Sequence, residues 1–277
     1  MNLYVSCDME GTAAVCSWHQ CDPSNTYEYP VYRRYMAREV SAAIAGARSA
    51  GVTGVLINDS HWDARNLVWD ELPDDVRVVS GVPKPLSMAQ GLDGDFGGAF
   101  FTGYHAKIGD ENGVLAHTYS PGAVYNVRIN GVTCSEALIN AAMAGYYGVP
   151  VLLVSGDRII VEDVSRHLPW ITGAIVKEGI GHYATESLTP HAARELLYER
   201  AADAVRNASR AKPFTFDGPL TLEIDTVAVE QADFVELIPG FRRVAGRTIA
   251  FSHDDYRMIF RAFVAAFRLA GAASAVA

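Results

Sequence analysis

The chain has 277 residues, of which 49% are hydrophobic, so it can fill the core of one large globular domain or of two unequal ones. Its formal net charge of −9 excludes nucleic acid and anionic membranes as natural partners, because both attract basic surfaces. No apolar stretch is long enough to span a bilayer, and no secretory signal opens the chain, so we expect a cytoplasmic protein with a small partner.

Short apolar runs alternate with segments of helical periodicity in the first part of the chain. We predict strands at 3–7, 52–61, 76–81 and 98–105, and a helix at about 32–50 whose charged residues, Glu39 among them, face solvent. Such alternation is typical of a mostly parallel sheet with helices on both faces. The fold class predicted for this region is therefore α/β.

The pattern continues through the middle of the chain and changes after about residue 212. A strand leads into an Asn130-Gly131 hairpin turn, and Thr189-Pro190 begins a helix. Further elements are predicted as a helix at about 135–147 and as strands at 150–155 and 173–180. After 212 we predict one strand and a last helix that begins at a Ser252–Asp255 capping box. The sequence thus predicts an α/β domain at 1–212 and a smaller α+β domain at 213–277.

Side chains that commonly bind metals follow three of the predicted strands. Asp8 and Glu10 follow the first strand, His61 ends the second and His105 ends the fourth. The carboxyl ends of parallel strands meet at one edge of a sheet, so we expect the four side chains to lie together. Residues i and i+2 of an extended chain point the same way, and Gly11 lets the backbone turn close by. Two crowded carboxylates are tolerated when a divalent cation lies between them, so the pattern predicts a metal site.

Each of these residues also has an ordinary structural interpretation. A histidine at a strand end is often a packed residue, and an aspartate there often caps a turn. Glu136 lies in a Thr133-Cys134-Ser135-Glu136 sequence that is typical of a capping box, and His117 lies inside a predicted strand, as a core residue would. The metal site therefore depends on the whole set, because no compact ligand motif is present.

Several stretches of the chain occur in the order and at the spacing seen in one enzyme family. They are "YVSCDMEGTA", "VLINDSH", "VSGVPKPLSMAQGLD", "GAFFTGYHA", "INGVTCSE" and "AGYYGVPVLLVSGD". With these stretches the sequence resembles the zinc-dependent D-aminopeptidases of the DppA type over residues 1–210. Beyond residue 210 the resemblance is only general.

The resemblance implies which residues form the site. It implies two zinc ions per subunit, bridged by Asp8, with five ligands in all: Asp8, Glu10, His61, His105 and Glu136. It also implies that His117 is the catalytic histidine, although the connection from His105 to His117 is slightly longer here than in the family. Asp59, two residues before His61, is predicted to orient the ligands.

The resemblance further implies an activity and an assembly. A hydroxide that bridges the two zinc ions would attack the scissile carbonyl of a short peptide and release its N-terminal residue, a D-amino acid. His117 would move the proton to the leaving amine or stabilise the oxyanion, and the analogy with the family leaves a role as nucleophile open. The stretch "CSWHQCDPSNTYEYP" is predicted to lie near the mouth of the site and to set substrate choice. A homo-oligomer, in the form of a decameric ring, is implied as well.

Two alternatives remain open at this point. The same dizinc centre can serve hydrolysis of another small amide, because metal sites outlast substrate choice. In a different class of protein, the chain is a non-catalytic α/β binding module in which Glu136 caps a helix and the histidines pack. Metal content distinguishes a zinc enzyme from the metal-free binding module.

Overall fold

A computed structural model of the chain describes residues 1–273. Within these residues the strands are β1 (Asn2–Cys7), β2 (Gly54–Asp59), β3 (Arg77–Val79), β4 (Gly98–Tyr104), β5 (Val124–Ile129), β6 (Val132–Thr133), β7 (Val151–Asp157), β8 (Thr172–Gly181), β9 (Ala184–Ser187), β10 (Leu220–Thr226), β11 (Arg242–Ala245) and β12 (Thr248–His253). The helices are α1 (Trp18–Cys21), α2 (Tyr29–Ser49), α3 (Glu136–Tyr146), α4 (Arg158–His167), α5 (Pro190–Arg206), α6 (Val229–Glu236) and α7 (Tyr256–Ala273).

The larger of the two sheets has seven strands in the order β3-β2-β1-β4-β7-β8-β9. Every neighbouring pair is parallel except β8 and β9, which form an antiparallel hairpin at one edge. The predicted α/β class with a mostly parallel sheet is confirmed. The strands β1 and β4 lie in the middle of this sheet, so the residues that follow them reach the centre of its carboxyl edge.

Both faces of this sheet are covered. Along β1, Leu3 and Val5 pack in a core shared with α2 and α5, whereas Tyr4 packs in a second core with α3. Side chains of a strand alternate between faces, so burial on both sides produces the continuous apolar runs seen in the sequence. The two cores hold the strand ends in fixed positions relative to one another.

The second sheet is antiparallel and has five strands in the order β11-β12-β10-β5-β6. Its strands β5 and β6 come from residues 124–133, which lie inside the predicted 1–212 region, and they are joined by a turn at Asn130 and Gly131 with φ of 50° and 78°. Positive φ at both central residues is the hairpin geometry that the sequence predicts. The boundary at 212 stays a prediction, and residues 274–277 of the predicted second domain lie outside the described residues.

Three local predictions are wrong. The last helix does not begin at a Ser252 box: Ser252 is still in β12, and the helix begins at Tyr256, with an oxygen of Asp255 accepting a hydrogen bond from the Arg257 N–H. His117 lies in a loop and not in a strand. Glu39 does not face solvent, because it is 2% exposed.

Within residues 1–273, no helix is both long enough and apolar enough to cross a membrane.

The loop after β1 passes directly against the end of β4. The Gly11 N–H donates a hydrogen bond to the Gly103 carbonyl at 2.8 Å, and a Cβ atom placed on Gly11 would lie 1.8 Å from the carbonyl oxygen of Tyr104. Backbone atoms cannot move aside as a flexible side chain does. Only glycine therefore fits at this position, and the contact places the residues after β1 beside those after β4.

Gly11→Ala should lower the free energy of unfolding by about 1–3 kcal/mol, because the added methyl group must displace backbone. Gly246→Ala is the control, since a Cβ there meets nothing within 4 Å, and it should change stability by less than about 0.5 kcal/mol. Urea unfolding of the two variants measures both values. Equal stability of the two variants would show that the contact at Gly11 places no constraint on the loop.

Candidate metal centre

Six buried side chains converge at the carboxyl edge of the parallel sheet. None is more than 6% exposed, and they are Asp8, Glu10, His61, His105, His117 and Glu136. Asp8 and Glu10 directly follow β1, His61 follows β2 and His105 follows β4. The strand ends therefore bring together the four residues that the sequence pattern groups.

Asp8 lies between two of the histidines. Its Oδ1 is 3.3 Å from Nδ1 of His61, and its Oδ2 is 3.5 Å from Nε2 of His105. The same nitrogen of His61 is 3.0 Å from Oε2 of Glu10, and the same nitrogen of His105 is 3.4 Å from Oε1 of Glu136. Each oxygen of Asp8 thus faces a separate pair made of one histidine and one glutamate.

Glu136 points into the cluster and does not form the predicted capping box. Ser135 is the N-cap of α3, with its hydroxyl accepting a hydrogen bond from the Leu138 N–H, and Glu136 is the first helical residue. Oε1 of Glu136 accepts a hydrogen bond from the Tyr119 N–H at 2.6 Å. The capping-box interpretation of Glu136 is therefore wrong, because long-range contacts orient its carboxylate.

His117 reaches the cluster from the loop between β4 and β5. Its Nε2 is 3.6 Å from Oε1 of Glu136 and 3.9 Å from Oε1 of Glu10. Its ring stacks on the ring of His105 with centroids 4.0 Å apart. The Trp18 ring contacts the same imidazole edge-on, with centroids 5.2 Å apart. The packing leaves the imidazole little freedom to turn.

The three histidines share one hydrogen-bonding arrangement. In each ring one N–H donates to a backbone carbonyl, which leaves the other nitrogen facing the carboxylates. The donors and acceptors are His61 Nε2 to Cys21 O at 2.8 Å, His105 Nδ1 to Ala106 O at 2.9 Å, and His117 Nδ1 to Leu115 O at 2.8 Å. A carbonyl that fixes one nitrogen in this way is the usual partner of a metal-binding histidine.

Burial and mutual repulsion disturb the titration of the cluster. Burial, with the added charge of Glu10, raises the pKa of Asp8 to about 7. Burial opposes ionisation of Glu10 too, but the charge and hydrogen bond of His61, together with the charges of His117 and His105, outweigh it and hold the pKa of Glu10 well below its ordinary value. Burial opposes protonation of His105, but Glu136, Glu10 and Asp8 together overcome it and raise the pKa of His105 to about 10. The carboxylates therefore need positive charge beside them, and protons on the histidines supply it when no cation does.

The donor set fits a zinc site. Nε2 of His105 is buried and makes no hydrogen bond within the described residues, although two carboxylates lie close to it. Ligand atoms within 4.8 Å of one another occur in two overlapping groups, Asp8–Glu10–His105 and His105–His117–Glu136. Imidazole nitrogen and carboxylate oxygen are ordinary zinc ligands, and a buried nitrogen without a partner is what such an ion would satisfy.

Asp59 orders the loop that carries His61 and does not touch the His61 ring. Its carboxylate accepts hydrogen bonds from the N–H groups of Asn66 and Leu67 at 2.6 and 2.9 Å. The Asn66 amide, which also donates to Asp59, donates to the His61 carbonyl at 2.5 Å. An orienting role for Asp59 stays a prediction. Its contacts reach His61 only through Asn66.

Sequence reasoning missed two buried charged residues that hold the loop after β1. Lys177 of β8, 2% exposed, donates to the carbonyls of Glu10, Thr12 and Val15. Glu39 of α2 accepts a hydrogen bond from the Ala13 N–H at 2.9 Å. The only signal in the sequence was a charged residue within an otherwise apolar pattern. That signal does not show which group the charged side chain contacts.

A cavity of about 560 Å³ opens over the cluster. Five of the six clustered residues line it, together with aromatic side chains that include Trp18, Trp62 and Phe267. Trp18 and Asp22 belong to the "CSWHQCDPSNTYEYP" stretch, so this stretch lies at the site as predicted. The volume is in the range of cavities that bind small molecules.

A mostly parallel sheet with three carboxylates and three histidines clustered at its carboxyl edge places the chain among α/β proteins with a candidate carboxylate–histidine metal centre. The family model described as D-aminopeptidase matches residues 1–265. The D-aminopeptidase of Bacillus subtilis (strain 168) is 36% identical over 271 residues, which cover 98% of each chain. The chain therefore belongs to the D-aminopeptidase family, and the resemblance seen in its sequence is confirmed.

A solved structure gives the same result for the fold. The structure described as the Zn-dependent D-aminopeptidase DppA from Bacillus subtilis, a self-compartmentalizing protease, matches with a TM-score of 0.94 and 36% identity, covering 98% of both chains. The prediction of an aminopeptidase is confirmed at the level of the family. The binding-module alternative, which required Glu136 to cap its helix, is not supported.

Glu39→Gln should become more stable relative to the wild type as the pH rises. Burial raises the pKa of Glu39 to about 7, above its value in the unfolded chain. Its favourable contribution is complete below about pH 4.5 and is lost as the pH rises through 7, whereas glutamine does not titrate. The difference in unfolding free energy should grow by up to about 3 kcal/mol between pH 5 and 8. Urea unfolding in a fixed concentration of chelator measures it.

The control for this measurement is Glu199→Gln, since Glu199 is exposed on α5. That variant should follow the wild type across the same pH range. A Glu39→Gln difference that stays flat with pH would contradict a buried, ionising Glu39.

Proposed function

We propose that this chain is a dizinc aminopeptidase that removes N-terminal D-amino acids from short peptides. The observation that carries the proposal is the position of Asp8, whose two oxygens face two separate histidine–glutamate pairs. A carboxylate in that position is suited to bridge two ions. The Bacillus subtilis relative, described as Zn-dependent, supports zinc as the metal.

The proposed ligands divide into two groups around Asp8. Glu10 and His61 would hold one ion, and His105 and Glu136 the other. Zinc bound in this way lowers the pKa of a water molecule to near 7 and polarises a carbonyl group. The protein contributes the fixed orientation of the three imidazoles and the carbonyls that hold them. It also contributes a buried setting, in which each electrostatic interaction is stronger than in water.

His117 is the proposed proton carrier. Its Nδ1–H is held by the Leu115 carbonyl, so Nε2 alone faces the cavity and is available to accept a proton. Burial, with the charge of His105, lowers the pKa of His117. A neutral imidazole at neutral pH accepts a proton during attack on the peptide and transfers it to the leaving amine.

Assembly and location belong to the same proposal. The Bacillus subtilis relative is described as a self-compartmentalizing protease, which supports a homo-oligomer for this chain. A decameric ring around an interior space and a cytoplasmic location both stay predictions. An enclosed space of that kind would admit short peptides and exclude folded proteins.

The purified chain should contain about two zinc ions after loading and removal of excess metal. Asp8→Asn should hold fewer than one, because the lost charge belongs to both proposed groups. Metal analysis of the two proteins, with the exposed Asp93→Asn as the control, gives the numbers. A wild-type chain that retains one ion or none would refute the dizinc centre.

His117→Ala should retain both zinc ions and lose activity by about 10²-fold or more, the usual size of acid–base contributions. The substrates are D-alanyl and L-alanyl dipeptides, and the D-form should be the one that the wild type cleaves faster. His191→Ala, on the exposed surface of α5, is the control and should keep full activity. Loss of a zinc ion from His117→Ala would make His117 a ligand and not a proton carrier.

A further inference from the structure

Arg268 of α7 lines the cavity that opens over the metal centre. Among the described residues that line this cavity, it is the only arginine or lysine. Within residues 1–273, no carboxylate lies at ion-pair distance from its guanidinium group. The cavity therefore combines an acidic floor with one unpaired cation on its wall.

The neighbours of Arg268 do not neutralise it. Its guanidinium carbon lies 5.1 Å from the centre of the buried Phe267 ring, which supports the group without offering an anion. Lys84 lies near enough that the charge of Arg268 adds to burial in lowering the pKa of Lys84 to about 8. The Lys84 ammonium is itself engaged by Asn58 and by the Asp59 carbonyl. Lys84 does not line the cavity, so Arg268 is the one arginine or lysine, among the described lining residues, that presents its charge there.

We infer that Arg268 binds the C-terminal carboxylate of a short peptide whose N-terminal residue lies at the metal centre. The inference rests on the proposed function, because it assigns the two ends of that substrate to two groups that line one cavity. A guanidinium group presents two parallel N–H donors that match a carboxylate, so the interaction selects for charge and for shape. Every short peptide carries one such carboxylate, whatever its side chains are.

This arrangement makes the enzyme a peptidase for very short substrates. A cavity of about 560 Å³ is lined both by residues of the cluster and by Arg268, and this volume suits a small peptide whose N-terminus lies at the cluster and whose carboxylate lies at Arg268. A longer peptide would carry its carboxylate past Arg268 and forgo the ion pair. An amidated peptide of the same length would lack it.

The test compares three substrates that differ in the position of one carboxylate: D-alanyl-D-alanine, its C-terminal amide, and the α-amide of D-alanyl-D-glutamate. They are assayed with zinc-loaded wild type, Arg268→Gln, Arg268→Lys and the control Arg261→Gln, which changes an exposed arginine of the same helix outside the cavity. The wild type should favour the free dipeptide over its amide. Arg268→Gln should reduce that ratio of kcat/KM about tenfold or more, through KM, because hydrogen bonds to charged groups carry this discrimination.

Arg268→Lys should keep part of the preference in kcat/KM for the free dipeptide over its amide, because lysine keeps the charge but lacks the paired donors. The same loss of ratio in Arg261→Gln, or no loss in Arg268→Gln, would overturn the role of Arg268. If Arg268→Gln impairs the glutamate α-amide and spares the dipeptide, a side-chain carboxylate is the ligand and the inference is wrong. A wild type that cleaves the amide but gains nothing from the free carboxylate overturns this inference alone, whereas a wild type that cleaves none of the three overturns the proposed function with it.

Discussion

The structure depends on placing three carboxylates, Asp8, Glu10 and Glu136, out of water and within reach of one another. Such a cluster is stable only when positive charge is equally close, and His61 and His105, whose pKa values are raised, lie against the carboxylates. Because backbone carbonyls fix one nitrogen of each ring, the remaining nitrogens turn toward the carboxylates. The orientations of the three imidazoles are thus fixed by the protein backbone itself.

The scaffold achieves this order by joining distant parts of the chain to one short loop. The residues after β1 contact the end of β4, the Lys177 ammonium of β8 and the Glu39 carboxylate of α2. Burying these two groups costs stability: three backbone carbonyls of the loop satisfy Lys177, whereas Glu39 has one oxygen bonded to the loop and one buried oxygen without a partner among the described residues. A ligand loop fixed on several sides keeps Asp8 and Glu10 in place while the cavity above them stays open.

The residues that the sequence identified and those that it did not differ in the range of their contacts. Asp8, His61 and His105 follow apolar strands, so a local pattern combined with the rule for parallel sheets was enough to group them. Glu136 satisfied a local capping pattern, and only its contacts with Tyr119 and His105, far apart in the chain, turn it to the site. The fold class was predictable because periodicity reports burial on two faces. The pairing of β5 with β10 was not, because nothing local marks a strand in one half as the partner of a strand in the other.

That pairing has a consequence for how the protein is made. Helix α3, which begins with Glu136, follows the β5–β6 hairpin. Strand β5 of that hairpin pairs with β10 at residues 220–226. The hydroxyl of Tyr256 in α7 donates a hydrogen bond to the Ile139 carbonyl of α3. During synthesis on a ribosome, the first four strands of the parallel sheet emerge long before these supports of α3 exist. A nascent chain that ends before β10 therefore carries all six clustered side chains, Glu136 among them, but lacks the strand that pairs with β5 and the tyrosine that bonds α3, so the support of α3 is completed late in synthesis.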